Sequence, residues 1–286
     1  MERTERFLDG VQIMMSVSNS PDLGAMRMGE QHFEEALKEI VRHLLARGAT
    51  LAYGGDLRKQ GFTRMLFDLA RTYNATDHEG GPAKIRNYLA CTVWENLGEA
   101  RAVERAIRRE YAGAADVQCL PPPETVRDCI SGEILSIGED RPAAALTDMR
   151  CKIIDDSDAV VFLGGRVTGY AGRYPGVLDE VALSLHQDRP IYLLGGYGGC
   201  TGDAAHALYG MSAKWGGAFT PHYMRPQEQD NLFGYRQAIN KITTFADRMP
   251  DNGLNHDDNA ALAVSSDIRV IIPLLLRGLR TVAERR

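Results

Sequence analysis

The sequence predicts an α/β protein, a three-layer sandwich with a mainly parallel sheet followed by C-terminal helices. Short apolar runs of strand length alternate with longer amphipathic segments, which is the pattern of strands joined by crossover helices. Three of the apolar runs end in a glycine pair, at 54–55, 164–165 and 195–196. The chain of 286 residues, 44% of them hydrophobic, is long enough to bury such a core without a metal or disulfide staple.

Apolar runs mark the predicted strands, and helical periodicity marks the helices between them. The strands are predicted at 11–15, 50–53, 88–92, 117–120, 159–163 and 190–194. The helices are predicted at 33–45, 62–69, 100–111, 143–155, 176–186, 228–248 and 266–282. In the first helix, Phe33, Leu37, Ile40 and Leu44 recur at helical spacing before Gly48, which suits a helix C-cap.

Glycine and proline predict the segments between these elements. The triple proline at 121–123 is expected to form a rigid connector, and the glycine-rich stretch at 197–203 a loop. The polar residues at 250–259 predict a linker between the last two helices. Pro273 is expected to kink or restart the last helix, because proline lacks the N–H that a helix interior uses.

Composition and charge disfavour several functional classes. The 33 basic and 38 acidic residues leave a net charge of −5, which disfavours a general nucleic-acid binder, since such proteins are usually basic. No apolar run approaches the ~18 residues of a membrane span, and no secretory signal is recognised, so a cytoplasmic protein is expected. The five cysteines include no CxxC pair, which favours reduced thiols. The histidines are scattered and predict no metal site.

The three glycine pairs predict a ligand-binding rim. In open parallel sheets, ligands bind beyond the carboxyl ends of the strands, where glycine lets the backbone approach an anion. Plain turn chemistry is the alternative, because turns use glycine for their own geometry. The chain contains neither GxGxxG after the first strand nor GxxxxGK[ST], which disfavours a standard dinucleotide dehydrogenase and a P-loop NTPase. No cofactor is expected.

Three segments, in the same order along the chain, resemble the LOG proteins, which are phosphoribohydrolases of cytokinin nucleotides. The segment TLAYGGDLRKQGFT at 50–63 resembles their YGGG-x-x-GLMG motif. The run from Met149 to Gly165, with DAVVFLGG at its end, resembles ERK…sDAfiaLPGG, and GVLDE at 176–180 resembles the end of PGGxGTxxE. Ser16 and Ser18 lie where that family has its first strand and a GS turn. The chain is thus similar to the wider SLOG (Smf/DprA and LOG) superfamily.

In amino-acid sequence, these motifs most resemble those of the prokaryotic sensor-type SLOG clusters, which accompany TIR or sirtuin proteins in antiphage defence. Asp56 stands where LOG proteins have a third glycine, Val177 replaces their threonine, and 166–175 is an insertion that is expected to form a lid. The resemblance implies a Rossmann-like nucleotide-binding domain over 11–225, with a helical extension packed on it over 226–286. It implies a sensor of a nucleotide-derived ligand, either NAD- or ADP-ribose-like or a nucleoside phosphate.

The alternative is a LOG-like N-glycoside hydrolase acting on nucleoside 5′-monophosphates. In that case the resemblance makes Arg150 and Glu180 the catalytic residues. Without catalysis, Glu180 would stabilise a helix N-terminus, and Arg150 would pair with Asp148 or Asp155. The expected ligand-binding residues are Ser16, Ser18, Gly54, Gly55, Asp56, Arg58, Gly164, Gly165, Arg166, Arg173, Tyr174, Gly176, Glu180 and Gly196.

The expected partners, besides the small-molecule ligand, are a second copy of the chain and a separate effector protein. LOG proteins form homodimers, so the resemblance implies a homodimer for this chain. The last predicted helix offers an apolar face for such contacts, although the same face could equally dock on the protein's own sheet. This face consists of Ile268, Ile271, Ile272, Leu275, Leu276 and Leu279.

Overall fold

The computed structural model describes residues 5–58, 61–76, 84–210, 220–224 and 233–286. In these ranges, six parallel strands form one sheet with helices on both faces and further helices at the C-terminal end, which confirms the predicted Rossmann-like three-layer fold. The strands of this sheet are β1 (Gln12–Ser18), β2 (Thr50–Gly54), β3 (Lys84–Leu89), β4 (Ala115–Cys119), β7 (Ala159–Gly164) and β8 (Ile191–Leu194). A separate antiparallel pair joins β5 (Thr125–Arg127) to β6 (Ile134–Ser136).

The α-helices of the described ranges alternate with these strands and then close the chain. They are α1 (Glu30–Ala46), α2 (Phe62–Thr76), α3 (Cys91–Trp94), α4 (Ala100–Glu110), α5 (Arg141–Asp155), α6 (Gly176–His186), α7 (Gly199–Tyr209), α8 (Phe233–Thr243), α9 (His256–Val264) and α10 (Ile268–Glu284). Short 3-10 turns cover Gly195–Tyr197 and His222–Met224. None of the helices in the described part of the chain is long and apolar enough to cross a membrane.

The sheet order is β4-β3-β2-β1-β7-β8, so the direction of winding reverses between β1 and β7. β1 lies next to β2 on one side and next to β7 on the other, with Ser18 opposite Gly164 at its carboxyl end. Because all six strands are parallel, their carboxyl ends share one edge, as the positions of the glycine pairs predicted. This reversal makes that edge a topological switch point.

The alternation of side chains along β1 builds a core on each face of the sheet. Ile13, Met15 and Val17 join the core cluster that includes α1, α2, α4 and α10. Met14, which points to the opposite face, joins the cluster that includes α5, α6, α7 and α8. Both faces of β1 are covered, which explains why six of its seven residues are buried, including the polar Gln12 and Ser16 on the Met14 face.

Several predicted boundaries were wrong. The strand predicted at 88–92 runs instead over Lys84–Leu89, because Lys84 and Arg86 alternate with buried residues and thereby hide the strand in the sequence. The glycine-rich stretch at 197–203 was predicted as a loop but contains the first turns of α7. The β5–β6 pair follows the triple proline and was not predicted.

The C-terminal third also departs from the sequence prediction in part. The linker predicted at 250–259 contains the start of α9. The residues at 228–232, predicted as helix, and the predicted domain boundary at 225/226 lie outside the described residues. Pro273 lies inside α10, which is one continuous helix with neither a break nor a restart.

The apolar face of α10 docks on the body of the protein. Ile271, Leu275 and Leu279 are almost completely buried in the core cluster that also contains α1. Ile268 and Leu276 pack against the same cluster and are partly buried. Of the two uses that the sequence allowed for this face, docking on the protein's own core is therefore the one observed.

Candidate functional site

A large cavity opens at the carboxyl edge of the sheet, beside the switch point between β1 and β7. Its volume is about 1530 Å³. β1 contributes Val17 and Ser18, β2 leads into Gly54 and Gly55, and the segment after β7 contributes Arg166. Ligands of doubly wound sheets bind at this position, so the cavity is the candidate functional site.

The described lining of this cavity is more basic than the protein as a whole. Its basic residues are Lys38, Arg42, Arg58, Arg64, Arg150 and Arg166. Its acidic residues are Glu30, Glu34, Asp56 and Asp68. Five of the six basic side chains are paired with carboxylates, so Arg166 is the basic side chain of the lining that has no ion-pair partner among the described residues. An anionic ligand would therefore meet Arg166 as its available cation.

Arg150 lines the cavity although its side chain is almost completely buried. It projects from α5, a helix that begins where the Asp140 side chain accepts a hydrogen bond from the N–H of Ala143. Its Nη1 donates to Asp179 Oδ2 over 2.6 Å, and its Nε lies 3.5 Å from Glu180 Oε1. The alternative pairing with Asp148 or Asp155 is not observed, because both carboxylates that face Arg150 come from α6.

Glu180 connects this cluster to the first strand. The Ser16 hydroxyl, on β1, donates a short hydrogen bond to Glu180 Oε2. Ser16 is 2% exposed and Glu180 8% exposed, so the bond is shielded from solvent. The structure thus brings together three predicted site residues, Ser16, Arg150 and Glu180, although Glu180 is not part of the cavity lining.

Two buried carboxylates face one guanidinium in this cluster. Burial raises the pKa of Glu180 above its usual range, and Arg150 and the Ser16 hydrogen bond only partly offset that effect. Burial likewise raises the pKa of Asp179, against the opposing influence of Arg150. One cation cannot fully compensate two buried negative charges, so the cluster favours uptake of a proton or of a further cation.

The N-terminus of α6 faces the same cavity. Gly176 and Val177 line it, and Pro175 at the helix N-cap offers no side-chain hydrogen bond to the first N–H groups. Such free N–H groups and the helix dipole favour an anion. Gly176 is required for a close approach: a Cβ there would lie 2.8 Å from Arg150 Nη2. This glycine lets the guanidinium lie against the start of the helix.

The end of β2 supplies the opposite wall of the cavity. Gly54, Gly55, Asp56 and Arg58 all line it, and all four are among the residues that the sequence analysis expected to bind a ligand. Asp56 Oδ2 lies 2.6 Å from Arg58 Nε, and its Oδ1 accepts from the backbone N–H of Arg58 over 3.2 Å. Both side chains are more than a third exposed, so this ion pair can open to accept ligand groups.

The glycine pair after β7 places Arg166 beside the cavity. Gly164 and Gly165 have φ values of 70° and 114°, in the region that favours glycine. A Cβ on Gly164 would overlap the carbonyl oxygen of Ser18 at the end of β1. This close approach lets the chain turn towards the cavity, where Arg166 is exposed and has no ion-pair partner among the described residues.

The comparison with protein-family models decides the family. The SLOG cluster2 family matches residues 7–262, which span the whole sheet and the site at its edge. The chain belongs to the SLOG cluster2 family. No match was found among curated proteins.

In this SLOG protein, Arg173 and Tyr174 contact the β5–β6 pair and its flanks. Arg173 pairs with Glu133 and, over 3.4 Å, with Asp140. Tyr174 is buried, and its hydroxyl donates to Asp128 Oδ2 over 2.8 Å. The insertion that contains them therefore divides in two: Arg166 and Tyr170 line the cavity, whereas Arg173 and Tyr174 anchor the segment to the fold.

The third glycine pair of this SLOG protein allows two segments of backbone to pack closely together. Gly196 lies in the 3-10 turn after β8, where a Cβ would overlap the carbonyl oxygen of Ser265, just before α10. The next helix, α7, is capped by the protein itself, because the N–H of Gly199 donates to Asp22 Oδ2 over 2.7 Å. Gly196, which the sequence analysis expected to bind a ligand, is not among the residues that line the cavity.

Two features of the site were not predicted from the sequence. Asp179, next to Glu180 in the GVLDE segment, makes the shorter ion pair with Arg150. Asp22 and Asp203 hold His222 between them, with Nε2 3.4 Å from Asp22 and Nδ1 3.0 Å from Asp203. The adjacency of two acids in GVLDE was a signal for the first, but the second joins Asp22 to His222, 200 positions along the chain.

The acidic, histidine and cysteine side chains of the site do not form a metal centre. In the described ranges, no group of three or more His, Cys, Asp and Glu side chains is arranged to hold a metal ion.

Proposed function

We propose that the protein binds a nucleotide-derived ligand, with at least one phosphate, in the cavity at the switch point, and acts as a sensor of that ligand. One observation carries the proposal: two groups that bind anions converge there. They are the guanidinium of Arg166, which has no ion-pair partner among the described residues, and the open N-terminus of α6. Arg150 is already engaged, because its Nη1 pairs with Asp179 and its buried Nε faces Glu180 over 3.5 Å.

The cavity also offers groups for the rest of a nucleotide. Phe62 and Tyr170 are partly exposed in its lining, and aromatic faces of this kind stack on a base. Asp56 supplies carboxylate oxygens, which accept hydrogen bonds from ribose hydroxyls. Membership of the SLOG family supports a nucleotide-related function.

The buried position of Glu180 fits a protein that binds its ligand without cleaving it better than it fits a hydrolase. A carboxylate that cleaves an N-glycosidic bond must touch the sugar or the attacking water. Glu180 is instead buried beneath contacts with Ser16 and Arg150 and does not line the cavity. The hydrolase alternative has one observation in its favour: burial raises the pKa of the Glu180 carboxyl, which is the direction in which acid–base catalysts of this type are shifted.

The sensor role further requires partners, which we propose on the basis of family membership. These are a second copy of the chain and a separate effector protein in signalling or antiphage defence. A cytoplasmic location is part of the same proposal, and the five free thiols support it, since thiols stay reduced there. Light scattering and co-purification with a TIR, sirtuin or nuclease protein encoded nearby, with and without ligand, test these partners.

Thermal-shift screening tests the binding proposal. We expect NAD, ADP-ribose, cyclic ADP-ribose isomers or nucleoside monophosphates to raise the melting temperature of the wild type, because a ligand that binds only the folded state stabilises it. The Arg166→Ala variant should respond less, and the Arg269→Ala variant, changed at an exposed site on α10, should respond like the wild type. A stabilising ligand that acts equally on all three proteins would overturn the proposed site.

Chromatography of the same mixtures separates sensor from hydrolase. A sensor releases neither adenine nor nicotinamide over hours, whether residue 180 is Glu or Gln. A hydrolase releases free base, and Glu180→Gln reduces the rate by at least ~100-fold, the scale of one catalytic acid–base group. If the wild type releases free base and Glu180→Gln does not, the sensor proposal is wrong and the hydrolase alternative is correct.

A further inference from the structure

The helix α4 carries a row of arginines on its solvent side. Arg101, Arg105 and Arg109 lie four residues apart and are all exposed, whereas Val103 and Ile107, on the other side of the helix, are buried in the core. Side chains at this spacing lie above one another on an α-helix, about 6 Å apart along its axis. The three guanidinium groups therefore follow one line, which we call the arginine ladder.

The arginine ladder has no counter-charge in the described part of the chain. None of its three side chains makes an ion pair or a hydrogen bond with another described residue. The two acidic residues of α4 are engaged elsewhere: Glu110 pairs with Arg64, and Glu104 accepts a hydrogen bond from the backbone N–H of Cys119. Like charges four residues apart on a helix repel each other, so the arginine ladder opposes the stability of its own helix. A local cost of this kind, with no contact inside the fold to offset it, is typical of a binding surface.

The surroundings of the arginine ladder leave room for a partner. Ala102 and Ala106, which share the solvent side of α4, are exposed, and their short side chains permit close approach. The helix packs beside β4, the strand at one end of the sheet order. The described lining of the large cavity contains none of the three arginines, so a partner docked here would leave that cavity open.

We propose that the arginine ladder is a docking surface for an acidic protein segment, a helix that carries carboxylates four residues apart. Such a helix repeats the spacing of the arginine ladder, and guanidinium groups bind carboxylates through paired hydrogen bonds. Arginine is also enriched at protein–protein interfaces. The inference does not rest on the ligand proposed for the cavity, because the two surfaces share no residue.

A nucleic acid fits this surface less well than an acidic helix does. Nucleic-acid backbones are bound by broad basic surfaces, whereas this chain has a net charge of −5. The arginines near the arginine ladder already have carboxylate partners: Arg64 pairs with Glu110, and Arg108 pairs with Asp116. The available positive charge of α4 is therefore a narrow line of three groups.

Fluorescence anisotropy with a labelled peptide tests the surface in the absence of nucleotides. The probe is a helical peptide with three glutamates four residues apart, and the comparison peptide has glutamine at the same positions. We expect the wild type to bind the glutamate peptide at least about tenfold more tightly at low ionic strength, the scale of three exposed ion pairs together, and added salt to reduce the difference. The triple variant Arg101→Gln, Arg105→Gln and Arg109→Gln should bind the two peptides equally.

The matched control is the triple variant Arg269→Gln, Arg277→Gln and Arg280→Gln. It removes the same charge from arginines of α10 that already pair with carboxylates, so it should bind like the wild type. Equal affinities of the wild type for the two peptides, or equal losses in the two triple variants, would overturn the inference and leave the proposed function intact.

Two further measurements can contradict the inference. In thermal melts, the variant without the arginine ladder should unfold at the wild-type temperature or above it, because a repulsion has been removed. A lower melting temperature would show that the three arginines serve the fold rather than a partner. Tighter binding of a single-stranded oligonucleotide than of the glutamate peptide, lost in the same variant, would make the surface a nucleic-acid site and overturn the acidic segment.

Discussion

Arg150 Nη1 and Asp179 Oδ2 form an ion pair of 2.6 Å in which both residues are more than nine-tenths buried. The pair joins α5 to the first turn of α6. Taking such charges out of water is costly, and the cost is tolerable only while each charge has a partner. The ion pair therefore holds Arg150 at the cavity, but the fold then depends on both partners, because losing either one would leave a buried charge without its partner.

Removal of Arg150 should destabilise the protein strongly. In Arg150→Ala, Asp179 and Glu180 remain buried without a cation, and we expect the free energy of unfolding to fall by about 3–5 kcal/mol. Asp179→Asn should cost less, about 1.5–3 kcal/mol, because Arg150 keeps Glu180 as a counter-charge. Urea denaturation measures both, and Arg269→Ala, which breaks an exposed ion pair, should change little. Equal effects of all three would contradict this account.

The raised pKa of Glu180 predicts how stability depends on pH. The folded state holds the proton more tightly than the unfolded state, whose pKa is about 4.5. The contribution of Glu180 is therefore fully present below about pH 4.5 and is lost as the pH rises through the folded-state pKa. Relative to Glu180→Gln, the wild type should gain stability as the pH falls from neutral, by about 1.4 kcal/mol for each unit of pKa shift.

Denaturation of the wild type and Glu180→Gln at a series of pH values measures that difference. The exposed Glu124→Gln is the matched control and should show no such trend. A difference between wild type and Glu180→Gln that stays constant, or that changes in the opposite sense, would show that the buried carboxylate keeps an ordinary or lowered pKa.

The sequence predicted the sheet well because its strands are buried on both faces. β1, β2, β7 and β8 read as apolar runs, since helices cover each side of the sheet. β3 was misplaced because charged side chains interrupt it: Arg86 Nη1 donates to Gln12 Oε1 over 2.8 Å. A cross-strand partner of this kind cannot be known before the strand order is known.

The candidate site was predictable only where it follows from the position of a strand end. Gly54, Gly55 and Arg166 follow strands, and a parallel sheet brings strand ends together. Arg173 was chosen because arginine in a glycine-rich insertion suits a ligand, yet its partner Glu133 lies 40 positions away, next to β6. Local composition could not reveal that neighbour, because the β5–β6 pair itself carried no recognised signal.

Gly176→Ala should weaken both the protein and its site. The added methyl group would lie 2.8 Å from Arg150 Nη2, so the guanidinium must move or the start of α6 must shift. We expect a loss of about 1–3 kcal/mol in unfolding free energy, as for other overpacked positions, and weaker binding of the phosphate-bearing ligand.

Gly138→Ala is the control for this change. Apart from Gly138 and its two chain neighbours, no heavy atom of the described residues lies within 4 Å of the position that its Cβ would take, so the substitution should leave both stability and affinity almost unchanged. If Gly176→Ala behaved like Gly138→Ala in denaturation and in calorimetry, the close approach of Arg150 to the helix N-terminus would not matter for either property.

Arg166 and Arg173, seven positions apart in one insertion, should have separable roles. Arg166→Ala removes from the cavity an exposed cation that has no ion-pair partner in the described part of the chain. Affinity should therefore fall by about 1.5–3 kcal/mol while the melting temperature without ligand stays the same. Arg173→Ala breaks contacts with Glu133 and Asp140 outside the cavity, so stability should fall and affinity should not. Calorimetry and thermal melts of the two variants give four measurements, of which two should change. A loss of affinity in Arg173→Ala that matches the loss in Arg166→Ala would instead mean that the whole insertion rearranges around the ligand, with Arg173 leaving its acidic partners for the phosphate.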